Sequence, residues 1–310
     1  MAETLPSIIV CERVARWYGN VPALTEVTMQ VPNGITGLLG PNGAGKSTLL
    51  RILTGQIRPS SGSARVLGKD PLTDSTLFDH LGFCSEDDAL FEGLSARTVV
   101  RLLARLSGIA ESEVKERADD ALARVGMLAV ADREASKGSK GMRQRVRIAA
   151  ALVHAPRLIL LDEPMTGLDP VGRRDILALL ENLAADGVHV LFSSHILHEV
   201  ASVATHIVVL NRGMVLAEGA LSAIRAELAD YAFTLCVRCD DPRRLASHLL
   251  SAGYVTGLRF EGDDLLHISS ASSLRLIESL PAAVLESGVA VNEMQAPGEA
   301  VEAVFQRLIG

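Results

Sequence analysis

The chain has little cysteine, no long apolar run and no excess of positive charge, and each shortage removes a class of function. Its four cysteines, Cys11, Cys84, Cys236 and Cys239, show no disulfide or zinc framework, which fits a reducing cytoplasm. Cys236 and Cys239 form a single C-x-x-C inside a strand-like stretch. Residues three apart on a strand point to opposite faces, which argues against a shared metal. The most apolar stretch, Ile148 to Leu161, is broken by His154, Pro156 and Arg157. It falls short of the ~20 residues that a membrane-spanning helix requires, so any transmembrane pathway is expected from another chain. The Met-Ala-Glu start lacks a basic segment followed by an apolar core, so no signal peptide is read. A net charge of −7 argues against nucleic acid as a main partner, and the local cluster Arg143, Arg145, Arg147 is read as a helix surface.

Four motifs are present in one order: GPNGAGKST (Gly40 to Thr48), SKGMRQR (Ser139 to Arg145), LILLDEP (Leu158 to Pro164) and SSH (Ser193 to His195). The first fits G-x-x-x-x-G-K-[ST]. Its glycines let the backbone N–H groups of Asn42, Gly43, Ala44, Gly45, Lys46, Ser47 and Thr48 curl around phosphate oxygens, Lys46 reaches the terminal phosphates, and the Ser47 hydroxyl ligates magnesium. A helix starting near Lys46 adds its positive end. Alone, this loop leaves kinases, GTPases and many ATPases open. Leu158 to Leu161 is an unbroken apolar run ending in Asp162, as expected of a parallel strand buried on both faces with its carboxyl end at the nucleotide. Asp162 would hold magnesium through water, and Glu163 would orient or deprotonate the attacking water.

Together these motifs resemble the ATP-binding subunit of an ABC transporter over residues 1 to about 220. The resemblance implies that Ser139 and Gly141 belong to a signature turn that offers N–H groups and a hydroxyl to a nucleotide held by a second subunit. It also implies that Thr166 to Asp169 touches that partner, although a turn ending at Pro170 explains the same residues. His195, just past the strand-like Val188 to Phe192, is implied to contact the gamma phosphate. Tyr18, 28 residues before Lys46, is implied to stack on adenine, with core packing as the alternative. One position departs from the family pattern: Glu86 stands where a glutamine is usual. A carboxylate there can still ligate magnesium or its water.

The resemblance implies an α/β P-loop NTPase core with a parallel sheet, an N-terminal antiparallel β-subdomain and a helical subdomain at about 95–135, together spanning 1–225. In residues 230–310 the expected order β-α-β-β-α-β suggests a small α+β ferredoxin-like accessory domain. The expectation is an ATP- and magnesium-dependent ATPase subunit of an exporter, homodimeric when ATP is bound. It would drive a separate permease from the cytoplasmic face of the membrane. The runner-up is a soluble ABC ATPase of repair or translation, which usually carries two cassettes, a coiled-coil insertion or a zinc module; none is read here. A regulatory module with a dead site is disfavoured because Lys46, Asp162, Glu163 and His195 are all present.

Overall fold

A computed structural model describes residues 7–87, 89–221, 223, 233–250, 255–270 and 273–295. They form two compact units that divide between residues 221 and 222. The sequence also predicts a final helix from Ala300 to Leu308, which lies outside the described residues.

The first unit contains two sheets. Strands β1 (Ile9–Tyr18), β2 (Val21–Val31) and β4 (Ser61–Val66) pair antiparallel in the order β2-β1-β4. The second sheet has six strands: β3 (Ile35–Leu39), β5 (Leu81–Cys84), β6 (Leu158–Leu161), β7 (His189–Ser194), β8 (His206–Asn211) and β9 (Met214–Ala220). Their order is β5-β6-β7-β3-β8-β9, parallel except for the antiparallel edge strand β9. Strand β6 is wholly apolar because both its faces are covered, and its four residues are fully buried. Strand β3 lies between β7 and β8, so the loop after it opens where the order of connection reverses, the place where open α/β sheets bind ligands.

Helix α1 (Lys46–Leu53) follows β3 directly. Helices α2 (Ala96–Leu106) and α3 (Glu111–Arg124) fill the region expected to be helical, and α4 (Lys140–Leu152) precedes β6. Helix α5 (Pro170–Ala185) leads into β7, and α6 (Leu197–Val203) into β8. The three-to-four spacing of Val99, Leu102, Leu103 and Leu106 predicts the inner face of α2, and that prediction needs correction. Val99 is buried but Leu106 is 74% exposed, and the remaining buried positions are Ala96, Val100 and Ala104. Small alanines draw little attention in a periodicity reading. In α2, as with Ala118 and Ala121 of α3, they let two helices approach closely.

The apolar runs Ile207 to Leu210 and Met214 to Ala217 predict a hairpin around Arg212 and Gly213, and this turn joins β8 to β9. Both residues have positive φ, 47° and 77°, as a two-residue type I′ turn requires. The Gly213 N–H donates to the Ala44 carbonyl at 2.9 Å, and the Gly213 carbonyl accepts from the Thr25 N–H at 2.7 Å. A Cβ on Gly213 would stand 2.7 Å from the Ala23 carbonyl oxygen, so this turn packs directly against the P-loop and β2.

The second unit runs β10 (Phe233–Cys239), α7 (Pro242–Leu249), β11 (Val255–Glu261), β12 (Leu265–Ser270), α8 (Ser273–Ser287) and β13 (Val291–Gln295). The all-antiparallel sheet order is β11-β12-β10-β13, the order of a split βαβ plait. Asp241 caps α7 by accepting from the Arg244 N–H at 3.0 Å, with Pro242 in the first turn. The sequence pattern predicts a helix over Ser272 to Leu280, yet α8 continues through Pro281 to Ser287. Leu276 and Leu280 are buried against the core and Val284 packs on it, so tertiary burial outweighs the lost hydrogen bond. In β12, Leu266, Ile268 and Ser270 are buried, whereas Leu265, His267 and Ser269 occupy the more exposed face.

Candidate functional site

Four neighbouring parallel strands deliver the sequence motifs to one edge of the sheet. The loop after β3 carries Gly40 to Lys46, β7 ends at Ser194 and leads to His195, β6 leads to Asp162 and Glu163, and β5 leads to Ser85 and Glu86. The ladder continues past the strand ends. The Asp162 N–H donates to the Cys84 carbonyl at 2.8 Å, and the Gly40 N–H to the Ser194 carbonyl at 3.2 Å. The backbone therefore registers the loops against one another before any side chain acts. One cleft is lined by Ala23, the run Asn42 to Thr48, Glu86 and Glu163.

The P-loop has the conformation its glycines allow. Gly43 and Gly45 have φ of 80° and 105°, and a Cβ on Gly40 would stand 2.2 Å from the Leu210 carbonyl oxygen. Gly45 caps α1, no side chain covers the helix N-terminus, and its first turn holds no acidic residue, so its N–H groups and positive end face an anion freely. Buried Lys46 donates to the carbonyls of Gly40 at 2.7 Å and Pro41 at 3.2 Å, and its Nζ lies 3.1 Å from Glu163 Oε1.

Glu163 has φ of 46°, a left-handed conformation that strains a residue with a Cβ by roughly 1–3 kcal/mol. Ser193 holds it there. Ser193 Oγ accepts from the Glu163 N–H at 2.8 Å and donates to Asp162 Oδ1 at 2.7 Å, clamping both carboxylate residues from the next strand. Glu163 Oε2 meets Thr166 Oγ1 at 3.0 Å and His195 Nδ1 at 2.9 Å. Burial pushes the Glu163 carboxyl up, but the Lys46 ammonium and the hydrogen bonds from His195 and Thr166 together hold it below the usual glutamate range. Glu163 Oε1 is buried and receives no aligned hydrogen bond. Left-handed glycines leading into an uncapped helix N-terminus, a buried ammonium, a buried carboxylate at Asp162 and a Glu163 oxygen whose close partner is that ammonium fit a phosphate chain with its divalent cation.

Ser139 and Gly141 do not line this cleft. They line a second one, with Lys140, Gly167, Leu168 and Asp169. Ser139 caps α4 by accepting from the Met142 N–H at 3.3 Å, and Asp169 caps α5 by accepting from the Gly172 N–H at 2.7 Å. Tyr18 stands at the hairpin end of β1, 45% exposed, with the Arg16 guanidinium 4.8 Å from its ring centroid.

Several residues had no role in the sequence reading. Ser193 lay inside a recognised motif, but its clamp depends on the pairing of β6 with β7. The trio read as a helix surface is half-buried and tied to neighbouring loops and to helix α5. Arg143 donates to the Gly138 carbonyl at 2.8 Å, Arg145 pairs with Asp175, and Arg147 bonds the Ser85 carbonyl next to Glu86. Arg173 donates to the Leu168 carbonyl at 3.1 Å and lies 3.4 Å from buried Glu199, whose other oxygen accepts from Ser194 Oγ at 2.6 Å. This chain of contacts runs from the loop after Glu163 to the residue before His195.

Residues 24–166 match the ABC transporter family. The chain is 40% identical over 230 residues to an uncharacterised ABC transporter ATP-binding protein of Nostoc sp., covering 71% of this chain and 68% of that protein. It is 30% identical over 313 residues to a daunorubicin resistance ATP-binding protein of Streptomyces coeruleorubidus, covering 100% of this chain and 97% of the relative. A bacterial ABC transporter cassette solved as a dimer superposes with a TM-score of 0.63 at 28% identity, over 69% of this chain and 98% of that one. With the P-loop, the Asp162–Glu163 pair and His195 gathered at one sheet edge, these likenesses establish that the chain belongs to the ABC transporter ATP-binding proteins and is an ATPase.

Proposed function

We propose that two copies of this chain pair about a two-fold axis around two ATP molecules and drive a separate membrane-embedded permease that exports its cargo. The observation that carries this reading is the separation of the two clefts. Lys46, Glu86 and Glu163 line one, whereas Ser139, Gly141 and Asp169 line the other, so one chain presents two unlike halves of a nucleotide site. A second copy related by a two-fold axis would set each signature turn against the other's P-loop, an isologous arrangement that closes on itself. The dimeric cassette and the drug-resistance relative support this assembly and an export role. No helix among the described residues is long and apolar enough to cross a membrane, which is consistent with a permease supplied by another chain.

In this reading the P-loop N–H groups bind the phosphates, and Ser47, Asp162 and Glu86 would hold magnesium, which would supply positive charge to neutralise that on the transferred phosphoryl group. Lys46 exchanges its carbonyl and Glu163 contacts for phosphate oxygens. Its ammonium then no longer depresses the Glu163 carboxyl, which becomes a better base for the attacking water. Ser193 keeps Glu163 in its strained pose, and His195, donating from Nδ1 to Glu163 Oε2, offers its other ring nitrogen to the terminal phosphate. Tyr18 stacks on the adenine.

The test is assembly. Glu163→Gln protein with ATP and magnesium is expected to shift to a dimer in light scattering, and adding Gly141→Asp is expected to abolish the shift by setting a carboxylate against the partner's phosphates. A monomer under every nucleotide condition, with the permease present, would refute the composite site.

A further inference from the structure

The C-x-x-C of the second unit does not act as a pair. Cys239 is fully buried in the core, whereas Cys236 lies on the opposite, open face of the sheet. Cys11 and Cys84 are buried as well, so Cys236 is the one cysteine of the four that is partly exposed.

Strand register gives Cys236 its neighbours. It lies directly across from His267 on β12, which in turn lies across from Arg259 on β11. The side chains complete the row. Cys236 Sγ is 3.1 Å from His267 Nδ1, and His267 Nε2 is 2.8 Å from Glu261 Oε2. Arg259 Nη2 stands 3.5 Å from His267 Nε2 and 3.7 Å from the same Glu261 oxygen. The imidazole is 14% exposed and the Glu261 carboxylate 62% exposed, so the base is sheltered while the orienting carboxylate meets water. Thiol, imidazole and carboxylate in this order form a nucleophile, its base and the group that orients the base. The proposed nucleotide site uses none of them.

We propose that Cys236 is a thiol modification site that reacts with hydroperoxides and then with a small soluble thiol, with His267 as its base and Glu261 as the positioning residue. Burial and the Glu261 carboxylate push the thiol up, against the pull of Arg259, so at rest the sulfur keeps its proton and the imidazole must remove it during attack. Cys236 gives its proton to His267 Nδ1, and the sulfur attacks the nearer oxygen of the O–O bond. An S–O bond forms, the O–O bond breaks, and the departing alkoxide or hydroxide takes the proton from His267. The products are a sulfenic acid and an alcohol, or water when the oxidant is hydrogen peroxide. A soluble thiol then attacks the sulfenic sulfur, forming an S–S bond and releasing water. Cys239 cannot resolve the sulfenic acid from within the chain, because it faces the core on the other side of the same strand. The other charged groups on the open face, Arg238, Asp264 and Glu293, are engaged with one another and leave the Cys236–His267 contact intact.

The experiment treats the full-length protein with hydrogen peroxide in the presence of dimedone, a sulfenic-acid trap, and maps the adduct by mass spectrometry. The adduct is expected on Cys236 ahead of the other three cysteines. His267→Gln should slow its formation by at least about a hundredfold, the low end of what loss of a general base produces, and Glu261→Gln by a smaller factor of about three. Cys236→Ser should remove the adduct and leave basal ATPase activity unchanged. Buried Cys239 reports on folding: if it becomes labelled in His267→Gln, the sheet has opened, and the exposed Glu261→Gln variant decides. Adduct formation on Cys236 no faster than on free N-acetylcysteine, or at the wild-type rate in Glu261→Gln and in a folded His267→Gln, overturns the proposal.

Discussion

The two units of this chain place reactive groups differently on a sheet. In the ATP-binding unit they collect at the carboxyl ends of β3, β5, β6 and β7, strands that are largely apolar and buried. In the second unit they lie in a row across the open face, each inside a strand and alternating with core residues such as Val237, Leu266 and Ile268. A site at strand ends tolerates almost any sound packing beneath it, because the loops are anchored by backbone ladders. A site on a face shares its strands with the core, so repacking one side moves the other.

Substitutions can break or sharpen this contrast, and the largest effect is expected at the strand ends. Glu163→Gln should keep ATP binding and lower turnover by at least about a hundredfold in steady-state hydrolysis assays. Undiminished turnover would remove Glu163 from the reaction. Next comes Leu266→Ala, which empties a fully buried position beneath the open face and should destabilise the second unit by about 2–5 kcal/mol in denaturant titrations. ATPase activity should stay within about twofold of wild type, and a larger drop would show that the units are energetically coupled.

Ser193→Ala tests whether strand ends need side-chain clamps beyond their backbone ladder. It leaves the Glu163 N–H and Asp162 Oδ1 without their shared partner, and should lower kcat about tenfold with little change in KM for ATP. Glu86→Gln should leave ATPase activity within about tenfold and weaken the magnesium dependence of ATP affinity, because a carboxylate lining the cleft favours the metal-bound nucleotide more than an amide does. Titrating ATP affinity with and without magnesium measures this, and identical dependence would place Glu86 away from the metal.

The smallest effect concerns acid. Hydrogen bonds from Lys137, Ser136 and the Gly93 N–H hold the Glu134 carboxyl at about 2, below its ordinary 4.5. A depressed carboxylate stabilises the fold above the ordinary value, and that contribution fades as pH falls from 4.5 toward 2. The Tm gap between wild type and Glu134→Gln should therefore be widest above pH 5 and shrink on acidification. A gap independent of pH would show that the ion pair is without consequence.

The same contrast explains what was legible in the sequence. Strand-end chemistry is written in consecutive residues of demanding type: a Gly-rich loop, Asp-Glu after an apolar run, and a histidine after a strand. The order of secondary-structure elements in the second unit was readable from alternation and turn residues. Contacts that depend on register were not. Ser193 meets Asp162 only because β6 and β7 pair in parallel at one offset, and Arg147 reaches Ser85 only because α4 packs beside β5. Cys236 and His267 are 31 residues apart, and no local pattern announces them. The usable signal was the turn at 262–264, where Gly262 has a φ of 65°. Counting back from it pairs Glu261 with Leu265 and Arg259 with His267.

The brace at Gly213 also bears on when the nucleotide cradle can exist. Ala44 and Gly213 are separated by about 170 residues, and their hydrogen bond, with that of Thr25, joins segments synthesised at very different times. At roughly 5–20 residues per second, about 10 to 30 s pass between the two during translation. The nascent P-loop spends that interval without the turn that packs against it, and closing so long a loop delays its final shape further. Competence to bind ATP should therefore arrive late, after the β8–β9 hairpin has emerged. A chain that stalls before residue 213 would carry the complete motif with nothing behind it.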